Sequence, residues 1–370
     1  MIKKKLFIVE QYLSWKGHYR QYFENLISND FFYIYCSSKK QSYPNSTFLE
    51  AEEKDFRTFT DFIKGRFLDS FKAYSKLVDE KPSVAHLLEF EPFSFFYLLL
   101  FKRNHIPLLI ITIHSIERMR YANKLKDAIS YLQRLVYQYT LRKAAMMGAT
   151  FVTHYEHHRN QLISLIGNKY VKAIYVINYP CPEVSHNNNQ TKNNSTAKFL
   201  IYGQIREDKG IFEFLSNSKT LDLNITIAGK IHDPRILNLN HPNLEIINKF
   251  ITDEELIDLV RSHSFMLLPY LETYTGGAGT LKDSIAYGLP IVASDIPIFK
   301  EVIQRENLGF IFKEVNEIKA FSDITDSNKY DILKSNCLTY AQKYNWENMR
   351  QQYFHLYEMC ISKSSDRQPT

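Results

Sequence analysis

The chain alternates apolar, β-rich runs with amphipathic stretches, and it does so twice. Helix-like stretches separate six apolar runs in the first half, at 6–9, 31–36, 84–90, 107–114, 150–155 and 174–178. The alternation restarts in the second half, with apolar runs at 199–205, 225–230, 244–250, 265–270, 291–294 and 309–312. Near-continuous apolar strands that alternate with helices are typical of a parallel sheet covered on both faces. The pattern therefore predicts an α/β protein with two such sheets.

A polar, asparagine-rich segment over residues 183–198 separates the two halves. It carries almost no apolar side chains, which is the composition of a linker or an exposed loop. We therefore expect an N-terminal Rossmann-like domain over 1–182 and a C-terminal Rossmann-like domain over 199–344. The tail is one more amphipathic region, and its helix at 345–362 is expected to pack back on the first domain.

Composition and charge restrict the class of protein further. A length of 370 residues suits two domains, and 45% hydrophobic with 23% charged residues is typical of a globular protein. No signal peptide is expected from the first residues, no apolar run has bilayer-spanning length, and the four cysteines are scattered. We therefore expect a cytoplasmic protein with reduced thiols. The net charge of +6 fits anionic substrates or an acidic membrane surface, and no nucleic-acid partner is expected.

A glycine-rich turn follows the apolar run that ends at Pro269. The turn reads Thr275-Gly276-Gly277-Ala278-Gly279, and a helix-like stretch then continues to Gly288. In an open α/β sheet, ligands bind outside the carboxyl ends of the strands. Bare N–H groups in a glycine-rich turn can close on an anion, and the dipole of the following helix adds to the attraction. The turn therefore indicates a phosphate site, and a turn needed only for tight packing is the alternative.

An ordered series of motifs in the second half resembles a known family. The motifs are Gly203-Gln204-Ile205-Arg206-Glu207-Asp208-Lys209-Gly210, Ala228-Gly229, Asn248-Lys249-Phe250-Ile251, Glu255-Leu256-Ile257-Asp258-Leu259, Leu268-Pro269-Tyr270, the segment from Asp283 to Ala293, and Tyr344-Asn345-Trp346. In this order, over residues 199–358, the series resembles the C-terminal domain of the retaining GT-B glycosyltransferases of the family 4 (group 1) type.

The resemblance implies a fold and an activity. The fold is GT-B, in which two Rossmann-like domains turn their parallel sheets toward a central cleft. The activity is transfer of a sugar from a nucleoside-diphosphate sugar to a glycan, lipid-linked or protein acceptor, with retention of anomeric configuration. No bound cofactor and no metal ion is expected, and the nucleotide sugar is a co-substrate. A catalytically silent GT-B-like subunit that binds a glycan, a peptide or a partner enzyme is the alternative, and a nucleotide-sugar epimerase is a third possibility.

The leaving group defines what the donor site has to do. Departure of the nucleotide leaves negative charge on the β-phosphate, which fixed cations and backbone amides stabilise without reorganisation. Lys209 lies at a loop-to-helix junction with Arg206 just before it, and the resemblance assigns both to the pyrophosphate. The amides of Thr275, Gly276 and Gly277 are expected at the same phosphates. A solvated basic loop is the alternative for Lys209 and Arg206.

The resemblance also implies contacts to the rest of the donor. Asp283 corresponds to the acid that holds the ribose hydroxyls, although an acid there also stabilises a helix N-terminus. Phe250 and Ile251 frame the nucleotide base. Glu272 is expected at the hydroxyls of the donor sugar, and simple solvation is its alternative. The family usually carries two Glu residues eight positions apart, and Thr275 stands where the first of them would fall.

The first half carries two weaker landmarks of the family. Gly17 follows the first apolar run and corresponds to the glycine that faces the donor phosphates. His114 ends the run 107–114, where a parallel sheet presents functional side chains. We expect His114 to act with Lys209 and Glu272 as a catalytic residue, donating to the transferred sugar or the acceptor, and a structural histidine is the alternative. His114 and Asp283 are expected to face each other across the cleft.

Segment 118–147 predicts a basic amphipathic helix with interleaved tyrosine and leucine. Its cations are Arg118, Arg120, Lys124, Lys126, Arg134, Arg142 and Lys143. Such a helix can lie on an anionic lipid surface, which suggests a peripheral position at the inner face of the membrane. A scaffold helix with a solvated basic face is the alternative. No metal site is expected, because the histidines at 157 and 158 cannot share one helix face and no Asp-x-Asp motif occurs.

Overall fold

The computed structural model describes residues 6–15, 19–52, 59–116, 125–184, 197–217, 220, 222–272, 274, 279–325 and 327–365. The chain divides into two compact units. Unit 1 contains the chain up to Asn178 together with the residues from Met349 onward, and unit 2 is Tyr179–Asn348. Most of the linker expected at 183–198 lies outside the described residues.

Unit 1 is built on a parallel sheet, sheet 1. Its strands are β1 (Leu6–Glu10), β2 (Phe32–Ser37), β3 (Ser46–Glu50), β4 (Val84–Leu87), β5 (Leu108–Ile113), β6 (Thr150–Thr153) and β7 (Ile174–Val176). They lie in the order β3-β2-β1-β4-β5-β6-β7, and all neighbours are parallel. The helices between them are α1 (Tyr19–Glu24), α2 (Phe59–Glu80), α3 (Pro92–Phe101), α4 (Leu125–Met146) and α5 (Glu156–Ile166), with 3₁₀ helices at Arg103–His105 and Asn168–Ala173.

Unit 2 contains the second parallel sheet, sheet 2. Its strands are β8 (Lys198–Tyr202), β9 (Asn224–Ala228), β10 (Leu244–Ile247), β11 (Phe265–Leu268), β12 (Ile291–Ser294) and β13 (Gly309–Phe312). They lie in the order β10-β9-β8-β11-β12-β13, again all parallel. The helices are α6 (Ile211–Leu215), α7 (Asp253–Ser262), α8 (Gly279–Ala286), α9 (Pro297–Ile303), α10 (Glu317–Ser322) and α11 (Asn328–Lys343), with 3₁₀ helices at Glu207–Lys209 and Pro234–Asn238.

Strand β5 shows why the sequence signal for a doubly covered sheet is strong. Successive side chains of a strand point to opposite faces. Leu109, Ile111 and Ile113 enter one buried core cluster, and the alternate residues Ile110 and Thr112 are buried as well. Because both faces are covered, the strand has to be apolar almost throughout. The prediction of two parallel-sheet α/β domains is confirmed.

Strand β3 is absent from the sequence prediction. It lies at the edge of sheet 1, and its residues Ser46–Glu50 are only partly buried or exposed. An edge strand pairs on one side only and tolerates polar side chains, so its hydrophobic signal is weak. The amphipathic tail is divided between α11 and a final helix, α12 (Trp346–Ser365), with the break at Tyr344 and Asn345. No helix in the described part of the chain is long and apolar enough to cross a membrane.

Helix α12 attaches to the face of sheet 1 through a buried polar network. The Nδ1 atom of His86 on β4 lies 2.7 Å from the Tyr357 hydroxyl, and its Nε2 atom lies 2.8 Å from Oγ1 of Thr112 on β5. The Tyr353 hydroxyl lies 3.0 Å from that same Oγ1 atom and 2.5 Å from the Tyr22 hydroxyl of α1. Each of these polar groups has a partner, so the network can be buried without the cost of unsatisfied groups.

Burial lowers the pKa of His86 to about 3. A folded-state pKa below the unfolded value makes the unfolded chain bind the extra proton, so stability is present above the unfolded pKa and falls as the pH drops below it. Between pH 7 and pH 5 the His86 contribution should cost about 2 kcal/mol of unfolding free energy, because the unfolded pKa is about 6.5.

His86→Gln should therefore reduce the acid dependence of the stability of unit 1, although its stability at pH 7 falls. Urea unfolding of the two proteins at pH 7 and pH 5 measures the difference. His105→Gln is the matched control, because it makes the same substitution at an exposed position outside the buried network. Equal acid dependence in the wild type and His86→Gln would contradict the assignment.

Candidate functional site

The strand order of sheet 2 creates a crevice at the carboxyl ends of β8 and β11. The chain continues from β8 to β9 on one side of β8, and β11 lies on its other side. The connections that leave β8 and β11 therefore diverge. In open α/β sheets this reversal of strand order is where ligands bind. The candidate site is built from the loop after β8, the loop after β11 and the first turn of α8.

Two glycines shape the loop after β8. Gly203 has φ +99° and Gly229 has φ +145°, a region that residues with a side chain rarely adopt. A Cβ atom at position 203 would lie 2.9 Å from Cγ2 of Thr280, and one at position 229 would overlap the carbonyl oxygen of Gly203. The Gly203 N–H donates to the carbonyl oxygen of Ala228 at 2.9 Å. The end of β8 can thus lie directly against the end of β9.

Lys209 brings a cation into the crevice. It ends the 3₁₀ helix Glu207–Lys209, and Gly210 follows in the left-handed conformation with φ +68°. The Lys209 side chain is buried, with the residue only 7% exposed, and its Nζ atom lies 5.1 Å from the centroid of the Tyr270 ring. The ring face stabilises a nearby cation. The ammonium group is therefore held at the junction of the loops that follow β8 and β11.

Tyr270 also connects this junction to α8. Its hydroxyl lies 3.0 Å from Oγ1 of Thr280, the second residue of that helix. The first turn of a helix carries the positive end of the dipole. Lys209 and the start of α8 are thus joined through one tyrosine, and both favour an anion between the two loops.

Asp283 lies one turn further along α8. The pKa of Asp283 is raised to about 7. Burial is the larger cause, and the nearby Asp253 carboxylate is the smaller one. The pKa of Tyr202, the last residue of β8, is raised to about 12, mainly by burial and then by the Asp283 and Asp253 carboxylates. Because Asp283 acts on Tyr202, it lies close to the end of β8. Donated hydrogen bonds from a ligand would stabilise the ionised carboxylate and lower this pKa.

The other site residues predicted for the second domain lie outside the junction between Lys209 and α8. Arg206 precedes the Lys209 helix and is exposed, and Glu272 is exposed in the loop after β11. Phe250 lies beyond the edge strand β10 and is 82% exposed, whereas the neighbouring Ile251 is buried. The structure thus joins Lys209 with α8 and leaves Phe250 two strands away from β8. The predicted residues that lie outside the described part of the chain are Gly17, Thr275, Gly276 and Gly277.

No role in the site was predicted from the sequence for the residues that organise it, although Gly203 and Tyr270 belong to the motif series. Tyr270 and Thr280 connect Lys209 to α8, and Gly203 makes room for both loops. Tyr270 had a usable signal, because it is the last residue of the apolar run 265–270, at a predicted carboxyl edge. Its contact with Lys209 depends on two segments about 60 residues apart in sequence, which local patterns do not report.

A second polar cluster lies at the carboxyl edge of sheet 1. His114 directly follows β5, as predicted, and its Nδ1 atom lies 3.0 Å from Nε2 of His154, which directly follows β6. The Nε2 atom of His114 lies 3.3 Å from Oε1 of Glu89, which follows β4. The sequence indicated His114 but neither partner. Within the described residues no group of three or more His, Cys, Asp or Glu side chains is arranged to hold a metal ion. Whether His114 and Asp283 serve one substrate stays a prediction.

Comparison with known proteins finds a family model that matches the second half of the chain. Residues 185–343, nearly the whole of unit 2, match the family model described as "Glycosyl transferases group 1". No curated protein matches the chain by sequence. The match covers the crevice between β8 and β11, including Lys209, Tyr270, Thr280 and Asp283.

Solved structures similar to the whole chain show that its fold is GT-B. A sucrose-phosphate synthase from Thermosynechococcus elongatus has a TM-score of 0.74 at 14% identity, covering 97% of this chain and 100% of its own. A glycosyltransferase from Rickettsia africae has a TM-score of 0.68 at 12% identity, covering 98% and 99%. The Anabaena protein HepE, solved in complex with UDP, has a TM-score of 0.65 at 11% identity, covering 96% and 100%.

Proposed function

We propose that this protein is a glycosyltransferase that moves a sugar from a nucleoside-diphosphate sugar to a glycan, lipid-linked or protein acceptor, with retention of anomeric configuration. The observation that carries the proposal is the buried Lys209 ammonium beside the first turn of α8, at the β8–β11 crevice of a domain that matches the group 1 model. Similar solved structures support a nucleotide donor, because the Anabaena protein is described in complex with UDP and with UDP and glucose.

The proposed roles follow the charge that develops during transfer. Lys209 and the start of α8 stabilise the departing β-phosphate, and Arg206 approaches the same group from solvent. Asp283 accepts hydrogen bonds from the ribose hydroxyls. Glu272 contacts hydroxyls of the donor sugar, and His114 acts on the transferred group. These fixed charges replace a metal ion in the mechanism that we propose.

The base and the loop amides complete the proposed donor site. Phe250 presents an exposed aromatic ring at the carboxyl edge of sheet 2, and Ile251 is the buried residue beside it. An aromatic ring provides a face for stacking of a nucleobase. The amides of Thr275, Gly276 and Gly277, together with Gly17, are proposed to contact the donor phosphates.

Activity with a panel of sugar nucleotides in the presence of EDTA tests the proposed function directly. We expect release of nucleoside diphosphate with at least one donor, undiminished by EDTA, and an NMR spectrum of the product that shows the anomeric configuration of the donor. Nucleotide binding without turnover across donors and acceptors would favour the silent binding subunit, the alternative that the Thr275 departure from the family pattern suggests. Activity restored only by added magnesium or manganese would refute the metal-free mechanism.

Lys209→Ala should weaken nucleoside-diphosphate binding at least tenfold. The substitution removes a charge-assisted phosphate contact worth roughly 1.5–3 kcal/mol. Isothermal titration calorimetry measures the affinity. Lys319→Ala is the matched control, because Lys319 is exposed and pairs with Asp222 just before β9, at the opposite edge of sheet 2. Equal affinities for Lys209→Ala and Lys319→Ala would exclude the proposed position of the pyrophosphate.

Asp283 should make nucleotide binding depend on pH. Its pKa of about 7 means that protonation competes with the proposed ribose contact, so affinity is retained above pH 7 and lost below it. Between pH 8 and pH 6 the dissociation constant should rise about tenfold, because the ionised fraction falls by that factor.

Asp283→Asn provides the comparison for this pH effect. The variant should bind more weakly than the wild type at pH 8 and should lack the dependence that Asp283 causes. Protonation of the nucleotide phosphate affects the binding of both proteins equally. The difference between their pH profiles, measured by calorimetry, therefore reports the contribution of the Asp283 side chain. Parallel pH profiles for the two proteins would show that Asp283 does not contact the nucleotide.

We also propose that unit 1 contacts an anionic membrane surface at the inner face of the membrane. One face of α4 exposes large apolar side chains next to cations, at Tyr131, Leu132, Leu135, Tyr139, Arg142 and Met146. The end of α3 adds exposed Leu100, Phe101 and Lys102, and the Phe96 and Tyr139 rings, 5.7 Å apart, join the two helices. Apolar side chains flanked by cations are suited to a negatively charged bilayer surface.

Leu132→Glu should reduce binding to anionic vesicles at least tenfold, because it places a negative charge in the apolar face. Sedimentation with vesicles containing phosphatidylglycerol measures the binding, and vesicles of phosphatidylcholine alone should bind weakly. Leu237→Glu in unit 2 is the matched control, since Leu237 is 50% exposed and Leu132 is 56% exposed. Equal binding to neutral and anionic vesicles, or equal loss in both variants, would contradict the proposed surface.

A further inference from the structure

The carboxyl edge of sheet 1 carries a chain of hydrogen bonds that crosses four adjacent strand ends. Glu89 follows β4, His114 follows β5, His154 follows β6 and Ile177 follows β7. The contacts run in the same order: Glu89 Oε1 to His114 Nε2 at 3.3 Å, His114 Nδ1 to His154 Nε2 at 3.0 Å, and His154 Nδ1 to the Ile177 carbonyl oxygen at 2.8 Å. Parallel strands bring these groups to one edge because all their carboxyl ends point the same way.

The acceptors at the two ends of this chain determine where the ring protons lie. The Ile177 carbonyl oxygen can only accept, so Nδ1 of His154 carries a proton. At the other end Nε2 of His114 faces two acceptors, the Leu88 carbonyl oxygen at 3.1 Å and the Glu89 carboxylate, so it also carries a proton. One more proton has to lie between His114 and His154, because two bare nitrogens 3.0 Å apart would repel each other.

Three protons on two imidazole rings give the pair one positive charge. The alternative places the Nε2 proton of His114 on Glu89 instead. That arrangement would turn a nitrogen lone pair toward the Leu88 carbonyl oxygen, and it would discharge a carboxylate whose other oxygen lies 3.9 Å from an Arg66 nitrogen. Both contacts favour the arrangement in which the proton stays on Nε2 of His114, and in that arrangement the histidine pair is cationic.

The surroundings of the pair contain further titratable groups. The Tyr22 ring of α1 packs edge-on against His114 and His154, with centroids 5.0 Å and 5.7 Å away. Arg66 of α2 forms an ion pair with Glu89, and Arg66 also interacts electrostatically with Tyr12 and Tyr19. The pKa of Glu10 at the end of β1 is raised, mainly by burial and then by the Glu89 carboxylate. The raised pKa disfavours a second negative charge beside Glu89. Among the described residues, Glu89 is the carboxylate whose contact with the pair is resolved, and it contacts the ring of His114.

We propose that His154 and Glu89 are positioning residues that keep His114 doubly protonated, so that His114 contributes a fixed positive charge. Its two ring nitrogens are already engaged, by His154 on one side and by Leu88 and Glu89 on the other. It therefore acts as a point charge toward an anionic or electron-rich group and does not serve as a general base. The use of this charge in sugar transfer rests on the proposed function, whereas the protonation state does not.

Nitrogen NMR of protein labelled with ¹⁵N-histidine tests the protonation state directly. In the wild type at pH 7.5 both ring nitrogens of His114 should be protonated, and the His114→Gln spectrum identifies their signals. Glu89→Gln should lower the doubly protonated fraction of His114 at least threefold, because it removes the counter-ion. Glu91→Gln is the matched control, since it removes the same charge two residues away, where the side chain caps α3. It should leave the His114 signals unchanged.

Two variants of His154 separate positioning from general structural damage. His154→Ala removes the acceptor for the Nδ1 proton of His114 and should lower the doubly protonated fraction, whereas His154→Gln supplies an amide oxygen and should restore most of it. A wild-type spectrum with one bare ring nitrogen on His114 at pH 7.5 would overturn the inference. An equal response to Glu89→Gln and Glu91→Gln would do the same.

The kinetic consequence is tested separately. If the protein transfers sugar, Glu89→Gln should lower kcat at pH 7.5 more than it raises KM for the donor, and kcat should follow the doubly protonated fraction of His114 across the variants. An unchanged kcat in a variant that has lost the His114 charge would overturn the catalytic use of that charge. Absence of transfer with every donor would reject the proposed function and leave the NMR result valid.

Discussion

The close contact between the backbones of Gly203 and Gly229 determines the shape of the candidate site in unit 2. The carbonyl oxygen of Gly203 occupies the space of a Cβ atom at position 229, so β8 and β9 end against each other without an intervening side chain. The close approach leaves no side chain between the ends of β8 and β9, and the cation and aromatic side chains of the site lie toward β11. Lys209 and Tyr270 occupy that side, and Thr280 follows them at the start of α8.

Both units place charged groups where little water reaches them, and they compensate the desolvation in different ways. In unit 2 the Lys209 ammonium lies over an aromatic ring, and burial raises the pKa of Asp283 to about 7. In unit 1 the histidine pair is compensated by Glu89, and His86 stays neutral between two hydroxyl groups. The donor that we propose would bring phosphates to the Lys209 ammonium and hydroxyls to the Asp283 carboxylate.

The same topology explains the position of both polar clusters. Parallel strands all end at one edge, so residues far apart in sequence become neighbours there when their strands are adjacent. The order β4-β5-β6-β7 aligns Glu89, His114, His154 and Ile177, and the adjacency of β8 and β11 joins Lys209 to Tyr270. Helix α12 supports the histidine cluster of sheet 1 indirectly, because the Tyr353 hydroxyl contacts the hydroxyl of Tyr22, whose ring packs on the histidines.

The sequence by itself determined the number of sheets, their parallel character and most strand positions, because a strand buried on both faces has to be apolar along its whole length. It also indicated Lys209 and Asp283 through the motif series that resembles the glycosyltransferase family, and His114 because it ends an apolar run. Only the tertiary structure decided which side chains meet. The contact between Tyr270 and Thr280, the pairing of His114 with His154, and the raised pKa of Asp283 depend on strand order and burial, which bring distant segments together. Edge strand β3 was missed for a related reason, because its partial exposure removes the apolar pattern.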